Sequence, residues 1–321
     1  MRSALITGSE SRRLLGSLPT PMARSLYFLG GLPRAGSTLI ANLLVQNPRF
    51  HATATSGVLN LIQHLRVAWE KIPTFKAAPR DVSEAARMRV MRGVLVSYFG
   101  DVTRPVIFDK SRGWIGKIAL AEKVMGRKVK VIAPVRDVRD VVASFEQLAL
   151  KNVLKPTSQE LSSKGKWETV EGRIDIWMAR NGVVGGPYRQ IREALLRGFG
   201  DRILFVDYDH LTRDPESQMK RIYAFLGEAP FRHDYENVQQ VTTEDDEVWH
   251  MPGLHDIRPQ VRPQPPLWPR FLPDSVAKKL PGREMWEKRV PPLPPLRLPE
   301  AAGTPGTPAG KVVKGSKVAK G

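Results

Sequence analysis

The stretch SLYFLGGLPRAGSTLIANLLVQNP, residues 25–48, constrains the fold more than any other. Its first six residues form a short apolar run with the length and composition of a buried strand. The chain then passes through a turn holding Gly30, Gly31 and Gly36. Beyond the turn, Leu39, Ile40, Leu43 and Leu44 share one helical face, and Asn47-Pro48 stops the helix. A strand that feeds a helix this directly is the repeating unit of an α/β protein with a parallel sheet.

The same rhythm recurs downstream. Apolar runs RPVIFD (104–109), KVKVIAPV (128–135) and RILFVDY (202–208) predict further strands. Helical patterns near 57–70, 82–99, 114–125, 137–150, 168–197 and 215–226 fill the intervals. These segments predict a single α/β domain from 24 to 250, a doubly wound parallel sheet with helices on both faces. Residues 1–23 read as a flexible N-terminal extension. Residues 251–299 form a proline-rich segment, with MPGLHDIRPQVRPQPPLWPRFLP and PPLPPLRLP, that wraps the domain and holds at most a short helix near 275–289. Residues 300–321 mix glycine, proline and alanine with Lys311, Lys314, Lys317 and Lys320, and read as a disordered basic tail.

Composition narrows the function. The chain has 321 residues, enough to bury a sizeable core, and no cysteine, which excludes disulfides, thiolate metal sites and a cysteine nucleophile. No apolar run reaches the roughly 18 residues of a membrane span. The first 25 residues lack the apolar core of a secretory signal, and a cytoplasmic protein is the expectation; their serines and arginines also fit an organellar transit peptide, against which stand Glu10 and two prolines. Of the formal net charge of +18, each end contributes +3, which leaves +12 for the middle and suits a polyanionic ligand.

A strand, a glycine turn and a helix start bring backbone N–H groups and the positive helix end to one point, which is a ready-made anion site. Set against G-x-x-x-x-G-K-[ST], the loop supplies Gly31, Gly36 and Thr38 and makes the sheet one of P-loop type, but Ser37 stands where the lysine belongs. Arg34 brings a charge able to grip phosphate or sulfate through two donors. The strand VKVIAPVR ends in Arg136 where a triphosphatase has its magnesium-holding aspartate; Asp109, ending VIFD, keeps that chemistry open. Arg136, Asp140 and Ser144 follow at intervals of four along one helix face. Such a face either binds a second phosphate or is solvated, with Asp137 and Asp140 pairing Arg136 and Arg139.

LPRAGSTL resembles the 5′-phosphosulfate loop, P-[KR]-[SA]-G-[ST]-[ST], of sulfotransferases that use 3′-phosphoadenosine 5′-phosphosulfate. Arg136 and Ser144 in PVRDVRDVVASF resemble that family's second signature, a strand-ending arginine with a serine eight residues on. The resemblance implies that Arg34, Ala35, Gly36, Ser37 and Thr38 bind the phosphosulfate and that Arg136 and Ser144 bind the 3′-phosphate. It also implies Tyr208 near the adenine and Arg258, with Arg262, closing over the 3′-phosphate; Tyr208 reads equally as a tyrosine serving the core, and the two arginines as plain surface charges. Arg34 and Lys110 would act on the sulfuryl group during transfer, and the donor would need no metal. The family's bases do not carry over: PRFHATATSGVLN has no carboxylate, and DKSRG does not reproduce Lys-Thr-His. Proximity leaves Asp109 as the catalytic base, then His51. Arg112 and Trp114 are candidates for the acceptor pocket, Trp114 equally for packing.

The expected activity is transfer of a sulfuryl group to a hydroxyl or amine on a small molecule, glycan or peptide. The alternatives are another P-loop enzyme such as a small-molecule kinase, or a basic nucleic-acid-binding protein. Against the latter, aromatics make up 7% of the chain and no recognised binding motif is present. Neither the acceptor nor the oligomeric state is legible.

Overall fold

The computed structural model describes residues 24–152 and 165–292. Its centre is one sheet of five strands: β1 (Ser25–Leu29), β2 (Phe50–Thr55), β3 (Val106–Lys110), β4 (Val131–Val135) and β5 (Ile203–Asp207). The order is β2-β3-β1-β4-β5, and every neighbouring pair is parallel. Side chains alternate between the faces of each strand. Leu26 and Phe28 enter one core while Tyr27 and Leu29 enter the other. Both faces are covered, which is why the inner strands read as near-continuous apolar runs.

On the Leu26–Phe28 face pack α2 (Val58–Trp69), α3 (Arg80–Tyr98), α4 (Ile118–Met125), α5 (Val138–Lys151), α6 (Val170–Met178) and α7 (Gly185–Leu196). The opposite face carries α1 (Ser37–Leu44), α8 (Tyr208–Arg213) and α9 (Pro215–Leu226). The chain leaves β1 toward the β2 edge and later crosses to β4 on the far side. Doubly wound sheets bind their ligands at such a reversal, beyond the carboxyl ends of the strands. Among the described residues no helix is long and apolar enough to cross a membrane.

Four strands fall where the apolar runs predict them. The fifth, FHATAT, is masked in the sequence because His51 and two threonines interrupt it, and its buried positions are only Phe50 and Ala52. The single long helix expected over 168–197 is two, α6 and α7. A Cβ at Gly182 would lie 2.3 Å from the Trp177 carbonyl oxygen, and one at Gly185 would lie 2.1 Å from that of Met178, so the chain folds back on α6. The helix expected near 275–289 is two single turns, Asp274–Ala277 and Glu284–Glu287, with Pro281 and Gly282 between them. The N-terminal extension and the basic tail lie outside the described residues.

Residues 228–292 run across the carboxyl edge of the sheet and are tied down at several points. The Asn42 side chain accepts from the backbone N–H groups of Val241 (2.6 Å) and Thr242 (3.0 Å). Asp140 accepts from those of Leu267 (2.7 Å) and Trp268 (3.1 Å). Arg283 pairs with Asp207 at 3.3 Å and Asp209 at 2.7 Å. Each tie satisfies a buried polar group that would otherwise cost free energy to leave unpaired.

Candidate active site

The loop after β1 keeps pairing with β4 beyond the end of the strand: Gly30 N–H donates to Ile132 and Leu32 N–H to Pro134, both at 2.9 Å. A Cβ on Gly31 would lie 2.3 Å from the Pro134 carbonyl oxygen, so only glycine permits this approach. Gly36, at φ 87°, turns the chain into α1, and a Cβ there would stand 2.8 Å from the Tyr208 ring. Ala35 is buried, Ser37 begins the helix half-buried, and Thr38 is buried.

Arg34 takes a left-handed backbone, φ 55°, a conformation costly for a side-chain-bearing residue and concentrated at functional loops. Its Nε donates to Ser144 Oγ at 3.0 Å, and its Nη1 donates to the Leu254 carbonyl. Two motifs 110 residues apart in sequence therefore meet directly. Arg136 is buried at the end of β4, its guanidinium 4.7 Å from the centre of the Tyr208 ring. Its Nη2 lies 3.8 Å from Asp140, and its Nε is buried without a partner. Burial pulls the Arg34 guanidinium below its ordinary pKa, and neighbouring Arg136 adds to the pull. Asp137 caps α5 and pairs with Arg139 at 2.6 Å, so with Arg136–Asp140 both ion pairs of the solvated-face alternative form, but Arg136, Asp137 and Asp140 are buried and not solvated.

Lys110, the last residue of β3, is buried, with Nζ 3.3 Å from Thr38 Oγ1 and 2.9 Å from Glu244 Oε1. Burial lowers its pKa, opposed by Glu244. Asp109 is fully buried and accepts from Trp114 Nε1 at 2.5 Å. Burial raises its pKa to about 6 despite hydrogen bonds from Ser56, Trp114 and Thr53. Trp114 itself packs on Phe28 at 4.2 Å between ring centres, the packing role. His51 sits beside Ile107 in the sheet register, below the carboxyl ends of the strands. Arg258 is exposed, and Arg262 pairs with Glu236 at 2.7 Å.

Three residues of this region are missed by sequence reasoning: Glu244, Asp246 and His255. Glu244 Oε1 accepts from the Thr55 N–H and the Thr55 hydroxyl, each at 2.7 Å, as well as from Lys110. Asp246 accepts from the His255 backbone N–H at 2.9 Å and faces its Nδ1 at 2.5 Å. In the sequence TTEDDEVW looks like a solvated acidic run, and only the proximity of His255 to Arg258 marks that part of the segment.

The family model described as sulfotransferase family matches residues 27–232. Among solved structures, the chain is similar to the sulfotransferase domain of a Synechococcus olefin synthase, at 17% identity, covering 79% of this chain and 94% of that one, with a TM-score of 0.43. It is also similar to a sulfotransferase from Mycobacterium avium (19% identity, 69% and 68% covered, TM-score 0.41). A mouse sulfotransferase complexed with PAP is similar at 14% identity, with 87% and 89% covered and a TM-score of 0.44. No curated protein sequence matches.

Proposed function

This chain belongs to the sulfotransferase family, and from that premise we propose that it moves a sulfuryl group from 3′-phosphoadenosine 5′-phosphosulfate to a hydroxyl or amine acceptor. The observation that carries the reading is the Arg34–Ser144–Arg136 group. Two guanidinium groups lie close in a largely enclosed place; that of Arg34 donates to Ser144, and that of Arg136 keeps a buried Nε without a partner. Like charges held this way favour an anion between them, because a buried donor without a partner costs free energy that a phosphate would recover.

In this reading Arg136 and Ser144 hold the 3′-phosphate. Ser144 accepts from Arg34 and so keeps its own hydroxyl proton to donate. The loop amides at the start of α1 have no partner within the helix and, with Ser37 and Thr38, receive the 5′-phosphosulfate. Arg34 and Lys110 balance the charge that shifts to the bridging oxygen as the sulfur–oxygen bond breaks. Tyr208, between Gly36 and Arg136, forms the wall beside the adenine. Asp109 anchors Trp114 beneath the loop. The acceptor is a small molecule, glycan or peptide, and the cysteine-free chain suits the cytoplasm. The family match favours neither the kinase nor the nucleic-acid alternative.

The test is thermal melting of the full chain without magnesium. Binding to the folded state alone raises the melting temperature by mass action. Adenosine 3′,5′-bisphosphate, the spent donor, should raise it by several degrees, and ATP much less. Strong stabilisation by ATP with magnesium, together with no effect of the bisphosphate, would replace this reading with a kinase.

A further inference from the structure

We propose that His255 is the general base of the transfer and that Asp246 positions it, an assignment that rests on the sulfuryl-transfer reading above. A base for this reaction needs a free lone pair, a fixed orientation and a place beside the groups that hold the sulfuryl. Asp109 is fully buried under Trp114, and His51 stands beside Ile107 below the carboxyl ends of the strands. Glu244 reaches Lys110, but its Oε1 is already engaged by three donors, which favour the carboxylate over its protonated form.

His255 meets all three needs. Asp246 grips it twice, taking the backbone N–H on Oδ2 at 2.9 Å and facing Nδ1 with Oδ1 at 2.5 Å. A carboxylate on Nδ1 keeps the proton there, so the neutral ring has its lone pair on Nε2. That Nε2 lies 3.6 Å from Glu244 Oε2, beyond hydrogen-bond length. The other oxygen of Glu244 binds Lys110, and Lys110 binds Thr38 of the loop. The residue just before His255, Leu254, accepts from Arg34 through its carbonyl. The imidazole is therefore linked on two sides to the cations assigned to the sulfuryl group, and the Asp246 and Glu244 carboxylates around it are countered by Lys110 and Arg34. This base lies on the C-terminal segment, where none of the family's sequence patterns considered above would place it.

The step balances without a further reactant. The acceptor oxygen attacks sulfur and forms the new S–O bond, while the bond from sulfur to the bridging oxygen breaks and its electron pair leaves on the 5′-phosphate. The acceptor proton passes to His255 Nε2. Asp246 offsets the resulting imidazolium charge and takes no proton itself. Glu244 touches no reacting atom and positions Lys110.

The experiment uses the full chain with sulfur-labelled donor and two acceptors, 2-naphthol and the more acidic 4-nitrophenol. Loss of a general base should matter far less for a phenol that is already ionised. We expect His255→Ala to slow 2-naphthol turnover by about 10²-fold or more and 4-nitrophenol turnover by much less, with partial rescue by added imidazole. Asp246→Asn should show a smaller loss with the same dependence on acceptor. In both variants the melting shift with bisphosphate should survive, which separates a missing base from a misfolded chain. Equal losses on the two phenols, or none, with bisphosphate binding intact, would overturn the assignment. A measurement independent of acceptor is the imidazole nitrogen spectrum with bisphosphate bound, the His255 signal being identified by its absence in His255→Gln. A proton on Nδ1 alone supports the proposal; a proton on Nε2 overturns it. If neither phenol is sulfated, this spectrum decides. Failure of the bisphosphate to bind the wild-type chain would instead sink the donor reading, and this assignment with it.

Discussion

At the residue scale, two buried side chains should give the protein opposing responses to acid. Burial raises Asp109 from 3.8 to about 6, so the fold favours its protonated form. Its contribution to stability is complete below the unfolded value and is lost as pH rises through about 6. Burial pushes His233, packed near Tyr223, Phe231 and Tyr235, from 6.5 down to about 4. That contribution is complete above the unfolded value and is lost as pH falls through about 4. Between these limits the two slopes oppose each other. Denaturant unfolding across this range should therefore show a steeper acid loss in Asp109→Asn and a shallower one in His233→Phe; curves parallel to wild type would contradict both assignments. Other residues of the site differ in how well the sequence announces them. Arg34, Arg136 and Ser144 are legible because a strand end and a helix turn impose fixed spacings on them. Glu244 and His255 are not, because they arrive on a chain that folds back: Glu244 meets Lys110 across 134 residues, and no local periodicity records such a contact.

At the scale of elements, the proposed anion site depends on how closely the end of β1 approaches β4. The Pro134 carbonyl would lie 2.3 Å from a Cβ on Gly31, and both partners are backbone, so neither can swing aside. Gly31→Ala should cost about 1–3 kcal/mol, the range for overpacking a filled interior. Chemical denaturation measures this, and wild-type stability would mean that the two strand ends are not so tightly joined. The β-loop-α unit that carries this contact is the most legible part of the sequence, since its apolar run, glycines and helical face all point the same way. Legibility fails where the signals conflict. FHATAT is a strand set by its pairing with β3 and not by apolar content, and the break between α6 and α7 follows from glycines that admit neighbouring carbonyls.

At the scale of the whole molecule, the proposed site is assembled from the loop after β1, the ends of β3 and β4, Ser144 midway along α5, Tyr208 at the start of α8 and the segment 228–292. In the proposed complex Arg136 and Ser144 read the 3′-phosphate while the loop reads the 5′ end. Calorimetric titration tests it with two ligands, adenosine 3′,5′-bisphosphate and adenosine 5′-monophosphate, against the wild-type chain and Arg136→Gln without magnesium. A charged hydrogen-bonding contact contributes about 1.5–3 kcal/mol, or roughly 10- to 100-fold in affinity. Wild type should prefer the bisphosphate by on the order of 100-fold, and Arg136→Gln should lose most of that preference while binding the monophosphate nearly as before. An unchanged preference in Arg136→Gln would contradict this reading.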